Sequence, residues 1–214
     1  MDLHSCIDDA DALRSLFRSP SQRALDKEID HIDDAAARMI GTSPLFILAT
    51  SNGERVDISP RGGTPGFVKV VDEHRVAFGD LAGNNRIDSY RNLLDHASVA
   101  MLFMIPGLEE TMRVNGTALI STDADIRAMC ADGDRVPNLA IVVSVTTCFM
   151  HCGKAMRRSN IWDISTWPTD SERPSGAELL ASHLGVSNEV EAVASSLEEG
   201  YRATLWQPGG TGEA

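Results

Sequence analysis

Four short stretches place charged and amide side chains where they could hold an anion. "DISPRGGTPG" (57–66) sets Arg61 before two glycines, which let backbone approach a bound group closely. "GDLAGNNRIDSYRNLL" (79–94) puts Asn84, Asn85 and Arg86 at the start of a helical pattern. A helix start leaves N–H groups unpaired and carries the positive end of the dipole, so it suits phosphate. Arg86 can fork onto phosphate oxygens. "MIPGLEETMRVNGTALI" (104–120) reads as a hairpin whose second strand carries Arg113 and Asn115 on one face. "HCGKAMRRSNIWD" (151–163) gathers Lys154, Arg157 and Arg158 after an apolar run. Plain structural readings stand beside these: a glycine-rich turn, an Asn-capped helix whose dipole Asp88 already complements, a solvent-facing stripe, and arginines paired with surface carboxylates.

Other chemistry finds less support. His151 and Cys152 invite a metal or a nucleophile. With Cys148 they lack a fourth zinc ligand at any usual spacing, and no metal is expected. A cysteine nucleophile needs a histidine placed by the fold. A buried, inert Cys152 is the expectation, and Trp162 suits a core better than ring stacking. The chain lacks GxGxxG after a first strand, GxxxxGK[ST], GxSxG and HExxH. Hydrolase and kinase readings have nothing to stand on.

The elements that must position these residues follow from periodicity. A short helix is expected over 8–18. A longer one runs from Ser21 to Gly41, with Leu25, Ile29, Ile32, Ala36 and Met39 at helical spacing. The period then changes to two. Short strands are expected at 45–51, 55–60, 66–72 and 75–80, split by Asn-Gly, Gly-Gly and Asp-Glu-His turns. A helix follows to about His96, then strands at 98–107 and 112–122, and a helix capped by Asp123. The apolar run 139–152 reads as a central strand covered on both faces, with a helical turn after it. Two helices close the chain.

Strands this close, with glycine-rich connections, exclude a doubly wound α/β sheet and fit an antiparallel barrel with flanking helices. Four regions are expected: N-terminal helices (1–42), the barrel (43–165), C-terminal helices (166–206) and a disordered tail (207–214).

Composition narrows the partners. Of 214 residues, 43% are hydrophobic and 23% charged, ordinary for a globular protein. No apolar run has the length of a membrane helix, and the N-terminus lacks a signal-peptide pattern. Four scattered cysteines suit reduced thiols and a cytoplasmic setting. A net charge of -12 argues against nucleic acid. The acids crowd 2–34 and 170–200, whereas the arginines gather in the middle. A locally basic site in an acidic chain suits a small anion.

The ordered run "DISPRGG", "PGFVKVVD", "GNNRIDSYRNLL", "MIPG", "RVNGTA" and "HCGKAMRRSNIW" resembles the pyridoxamine 5'-phosphate oxidase-like, FMN-binding split-barrel proteins, in particular a branch of FMN-dependent members without assigned substrates. The match spans roughly residues 10–165. The resemblance implies a six-stranded split β-barrel, a homodimer, and two FMN sites between subunits. It implies that Arg61 and Arg86 face the flavin phosphate, with Asn84 and Asn85 beside it. Gly79 and Asp80 would lie along the isoalloxazine ring. Lys154 and Arg158 would approach from the end of the last core strand, across the dimer, with Trp162 near the ring.

The implied activity is an FMN-dependent oxidoreductase, with hydride transfer through flavin N5 from reduced nicotinamide or another small substrate. A deazaflavin or haem in the same barrel, or a flavin-binding protein without catalysis, are the alternatives. Where this chain has Gly79-Asp80-Leu81, related sequences usually carry Pro-Asp-Arg. The pyridoxal-phosphate-binding residues of the true oxidase have no clear counterparts.

Overall fold

The computed structural model describes residues 6–210. Seven antiparallel strands form one sheet: β1 (Leu45–Ser51), β2 (Val56–Gly62), β3 (Val68–Asp72), β4 (Arg75–Gly79), β5 (Ser98–Met104), β6 (Thr111–Ser121) and β7 (Ala140–His151). Their spatial order is β2-β1-β5-β6-β7-β4-β3. The seven strand ranges expected from periodicity all enter the sheet, and the count of six that the resemblance implied is corrected to seven. The β3–β4 hairpin contributes two short strands, and both enter the sheet.

The two edges, β2 and β3, are consecutive in the chain yet make no ladder with each other. Alternation along β1 drives Phe46, Leu48 and Thr50 inward. Phe46 is fully buried, with its ring 5.0 Å from Phe78, 5.2 Å from Phe103 and 5.7 Å from Phe67. These four rings come from β1, β4, β5 and the β2–β3 connection, so they curl the sheet around one core. β7 is central, as expected, but Ser144, Thr146 and Met150 leave one of its faces partly open.

The expected helix over 21–41 is two helices, α2 (Gln22–Asp26) and α3 (Asp34–Thr42), preceded by α1 (Ala10–Ser15). Between them Ile29 leaves the helical path and exchanges two backbone hydrogen bonds with Cys148 of β7, at 3.0 and 2.7 Å. Asp33 then restarts a helix by accepting from the Ala36 N–H at 2.7 Å. The periodic apolar residues belong partly to a sheet contact and partly to α3, where Ala36 and Ile40 are buried.

The remaining helices are α4 (Asp88–Asp95), α5 (Ala124–Met129), α6 (Lys154–Ser159), α7 (Gly176–Leu184) and α8 (Val190–Thr204). Asp123 caps α5 as expected. A reciprocal capping box between Ser175 and Glu178 starts α7, and left-handed Gly185 ends it. The tail differs from expectation over Gln207–Gly210, which hydrogen-bonds to the chain just after β4. Residues 211–214 lie outside the described residues. Among the described residues no helix is long and apolar enough to cross a membrane.

Candidate functional site

The site grows from an inverted strand. β2 turns Asp57, Ser59 and Arg61 toward α4 and leaves Val56 and Ile58 78% and 70% exposed. The polar face meets the first turn of α4. Ser89 Oγ donates to Asp57 at 2.6 Å, and Arg61 donates to Ser89 Oγ and to the Tyr90 hydroxyl, both at 3.1 Å. Tyr90 in turn donates to the Asp80 carboxylate, which lies 3.5 Å from the Arg61 guanidinium. Burial pushes the Asp80 carboxyl above its usual range, against the opposing pull of the Tyr90 hydrogen bond and the Arg61 charge. Burial also raises the Tyr90 phenol, so it stays a proton donor. Arg61 Nε is buried without a hydrogen-bond partner.

The turn into α4 is strained. Asn85 and Ile87 both sit at φ 54°, and a left-handed β-branched residue such as Ile87 is uncommon. Ile87 occupies the N-cap position, and no side chain caps the helix. The amides of Asn84 and Asn85 therefore do not serve as the expected cap. Asn84 Oδ1 instead accepts from the Arg86 N–H at 3.1 Å. Arg86 points outward, with a 71% exposed side chain paired to Asp88 at 2.7 Å.

β2, the β4–α4 connection and the start of α4 enclose a cavity of about 380 Å³, lined by Arg61, Asp80, Asn84, Asn85, Arg86 and Ser89 among others. Beside it lies a second cavity of about 410 Å³, sharing Arg61 and Leu81 and walled by Gly63, Phe67, Gly79 and Trp206. Gly79 is close against Pro137, where a Cβ would fall 2.7 Å from the proline ring. Arg61, Asp80, Asn84, Asn85 and Arg86 thus line the first cavity, and Gly79 lines the second.

Lys154, Arg158 and Trp162 do not line these cavities. Gly79 pairs with Ala140, at the start of β7, whereas Lys154 follows His151, at its end. The 12 residues of β7 place the two ends about 36 Å apart along the strand path. Trp162 Nε1 donates to the Leu108 carbonyl at 2.8 Å, and Arg157 pairs with Glu109 at 2.5 Å, so this basic segment rests on the β5–β6 loop. Nearby, Lys27 and Arg113 lie 5.1 and 5.2 Å from the Phe149 ring. His151 Nε2 is buried there without a partner, and burial followed by the Arg113 and Lys27 charges lowers its pKa.

The expectation of a buried Cys152 is corrected: it is exposed, because β7 has ended. A backbone hydrogen bond and the charge of Lys154 lower its thiol. Cys148, inside β7, is the buried thiol, and desolvation pushes it up to about 11. No cluster of three metal-ligating side chains occurs among the described residues. Sequence reasoning missed Asp57, Ser89, Tyr90 and Trp206. The alternation Asp57, Ser59, Arg61 was the available signal for the first, and the first helical turn for Ser89 and Tyr90.

A family model described as pyridoxamine 5'-phosphate oxidase matches residues 32–152, more than half of the chain. Among curated proteins none matches. Among solved structures, a HupZ variant from Group A Streptococcus is 19% identical at TM-score 0.47, covering 56% of this chain and 99% of its own. General Stress Protein 26 from Bacillus anthracis is 12% identical at TM-score 0.42, with 52% and 87% coverage. An FMN-binding protein from Syntrophomonas wolfei is 10% identical at TM-score 0.42, with 54% and 84% coverage.

Proposed function

The chain belongs to the pyridoxamine 5'-phosphate oxidase family, and from that premise we propose that it is an FMN-dependent oxidoreductase acting as a homodimer on a small molecule. The observation that carries the reading is the uncapped start of α4 opening into the cavity that Arg61 lines, with the Arg61 Nε donor unpartnered. Free helix N–H groups and an arginine suit a phosphate. The adjoining cavity, floored by Gly63 and Gly79 and flanked by Phe67, suits a planar ring. The residues present therefore fit FMN.

The charge balance supports a second copy. The phosphate cavity holds Arg61 and Arg86 against Asp57, Asp80 and Asp88. A phosphate carrying nearly two negative charges needs further cations, and Lys154 and Arg158 of a second chain would supply them. The exposed Val56 and Ile58 give that second chain an apolar surface to cover.

Bound FMN supplies reversible two-electron chemistry, with reduced nicotinamide or another small donor as its reductant. The protein's part is placement. Asp80 and Tyr90 fix the Arg61 guanidinium, and α4 presents its N–H groups. The absorption spectrum of the purified protein, before and after FMN addition, tests the reading. Bound-flavin bands are expected, and a colourless protein that takes up no FMN overturns it.

One observation favours a second reading. The unpartnered His151 Nε2 could ligate haem iron. A Soret band on haemin addition, lost in His151→Ala, would establish it.

A further inference from the structure

The C-terminal segment closes onto the same cleft. Leu81 and Pro208 pair as an antiparallel bridge. The Ala82 N–H donates to the Gln207 carbonyl at 2.8 Å, and the Gly209 N–H donates to the Asp80 carbonyl at 3.2 Å. The Asn138 side-chain amide donates to the Gly209 carbonyl at 2.6 Å. The segment thus lies along the chain where β4 has ended, as an added strand would.

Two side-chain positions make this docking specific. Gly209 is buried, and a Cβ there would fall 1.6 Å from an Asp80 carboxylate oxygen. Only glycine lets the segment reach the carboxylate that holds Arg61. Trp206 lies with the Arg135 guanidinium 5.8 Å from its ring. It walls the cavity of about 410 Å³ together with Phe67, Gly63 and Gly79, and also an adjoining cavity with Pro137 and Pro208. Gly209 and Gly210 line the phosphate cavity. One short segment therefore touches every compartment of the cleft.

We infer that Leu205–Gly210 is a strap, supplied by the same chain, that completes the ligand cleft and gates it, with Trp206 as one wall for a planar ring. The identity of that ring rests on the flavin reading, whereas the strap itself does not. In the closed state the strap shields the edge at Leu81 and Ala82 and positions Trp206. On this inference a ligand that enters or leaves parts the bridge between Leu81 and Pro208. Release is then slower than an open cleft would allow, and ligands much thicker than a planar ring are excluded by Trp206.

Backbone amide exchange and flavin kinetics on the full chain test this, using Gly209→Val, Asn138→Ala and Trp206→Ala. In the ligand-free protein, Gly209→Val and Asn138→Ala are expected to speed exchange at the Ala82 amide about tenfold or more, with strands β5–β7 unchanged. Equal Ala82 exchange in all proteins overturns the strap. With FMN as probe, the same variants are expected to release it at least several-fold faster, and Trp206→Ala to lose most of the tryptophan quenching on binding. Faster Ala82 exchange with unchanged FMN release overturns the gate. If no protein binds FMN, the flavin reading falls, and the exchange result alone decides the strap.

Discussion

Asp80 takes the Tyr90 hydroxyl on one side and faces the Arg61 guanidinium, 3.5 Å away, on the other. The pair ties β2 to the end of β4 across the gap where the sheet has no ladder. It also holds Arg61 in one place before any ligand arrives. A preplaced arginine loses little side-chain freedom on binding, so a contact with the proposed phosphate would keep most of its strength.

Arg61→Ala is therefore expected to weaken FMN binding strongly. A hydrogen bond to a charged group contributes roughly 1.5–3 kcal/mol, or about ten- to a hundredfold in affinity. Arg86 was equally prominent in the sequence, but it is exposed and paired with Asp88. Arg86→Ala is expected to cost less than about fivefold, in line with a solvated pair. Titration by flavin fluorescence compares the two. Equal losses would show that Arg86 swings inward onto the ligand.

Asp80 predicts a pH signature. Its folded pKa is raised above the unfolded value of about 3.9, so its ionisation favours the unfolded chain. Its contribution is fully present below that value and is lost as pH rises through the folded pKa. Asp80→Asn removes this loss. The melting temperature of Asp80→Asn relative to the parent is expected to climb as pH rises above the unfolded value of about 3.9. A flat difference above that value would mean that Arg61 keeps Asp80 ionised at no cost.

Most of the sheet is readable from the residues because each strand carries its own alternation, and Phe46, Leu48 and Thr50 show it plainly. The break after Asp26 was hidden because Ile29 and Ile32 keep helical spacing while serving a bridge to β7 and a core contact. Local pattern carries no record of such a distant partner. The Arg61 cavity was legible from Arg61 and the start of α4, since one turn and one helix build it. Lys154 and Arg158 were expected to reach it across a dimer, and within one chain β7 carries them to its far end. The strap was invisible, because Pro-Gly-Gly reads as disorder until Asp80 and Asn138 receive it.

Gly116 offers a test of the sheet itself. β6 shifts register between Asn115 and Gly116, opposite Val145 and Thr147. A Cβ at Gly116 would fall 2.0 Å from the Ser144 carbonyl oxygen, which is backbone and cannot swing aside. Gly116→Ala is expected to cost about 1–3 kcal/mol in urea unfolding, as overpacking does. Gly83→Ala, with open space around it, is the control and should unfold within about 0.5 kcal/mol of the parent. Equal midpoints would remove the bulge as a constraint.

The last prediction joins the exposed stripe to the proposed two-chain site. If Val56 and Ile58 face a second copy, Ile58→Glu puts a charge in an apolar contact and should yield folded monomers in sedimentation. FMN binding should fall with the dimer, because the Lys154 end lies away from the Arg61 cleft within one chain. A mixing experiment makes the point sharper. Arg61→Ala and Lys154→Ala chains should each bind FMN weakly as homodimers. After unfolding and refolding together, half of the dimers are mixed, and each mixed dimer holds one site with both residues intact. About a quarter of all sites should then recover full affinity. A site built within one chain would recover none, because every chain in the mixture lacks one of the two cations.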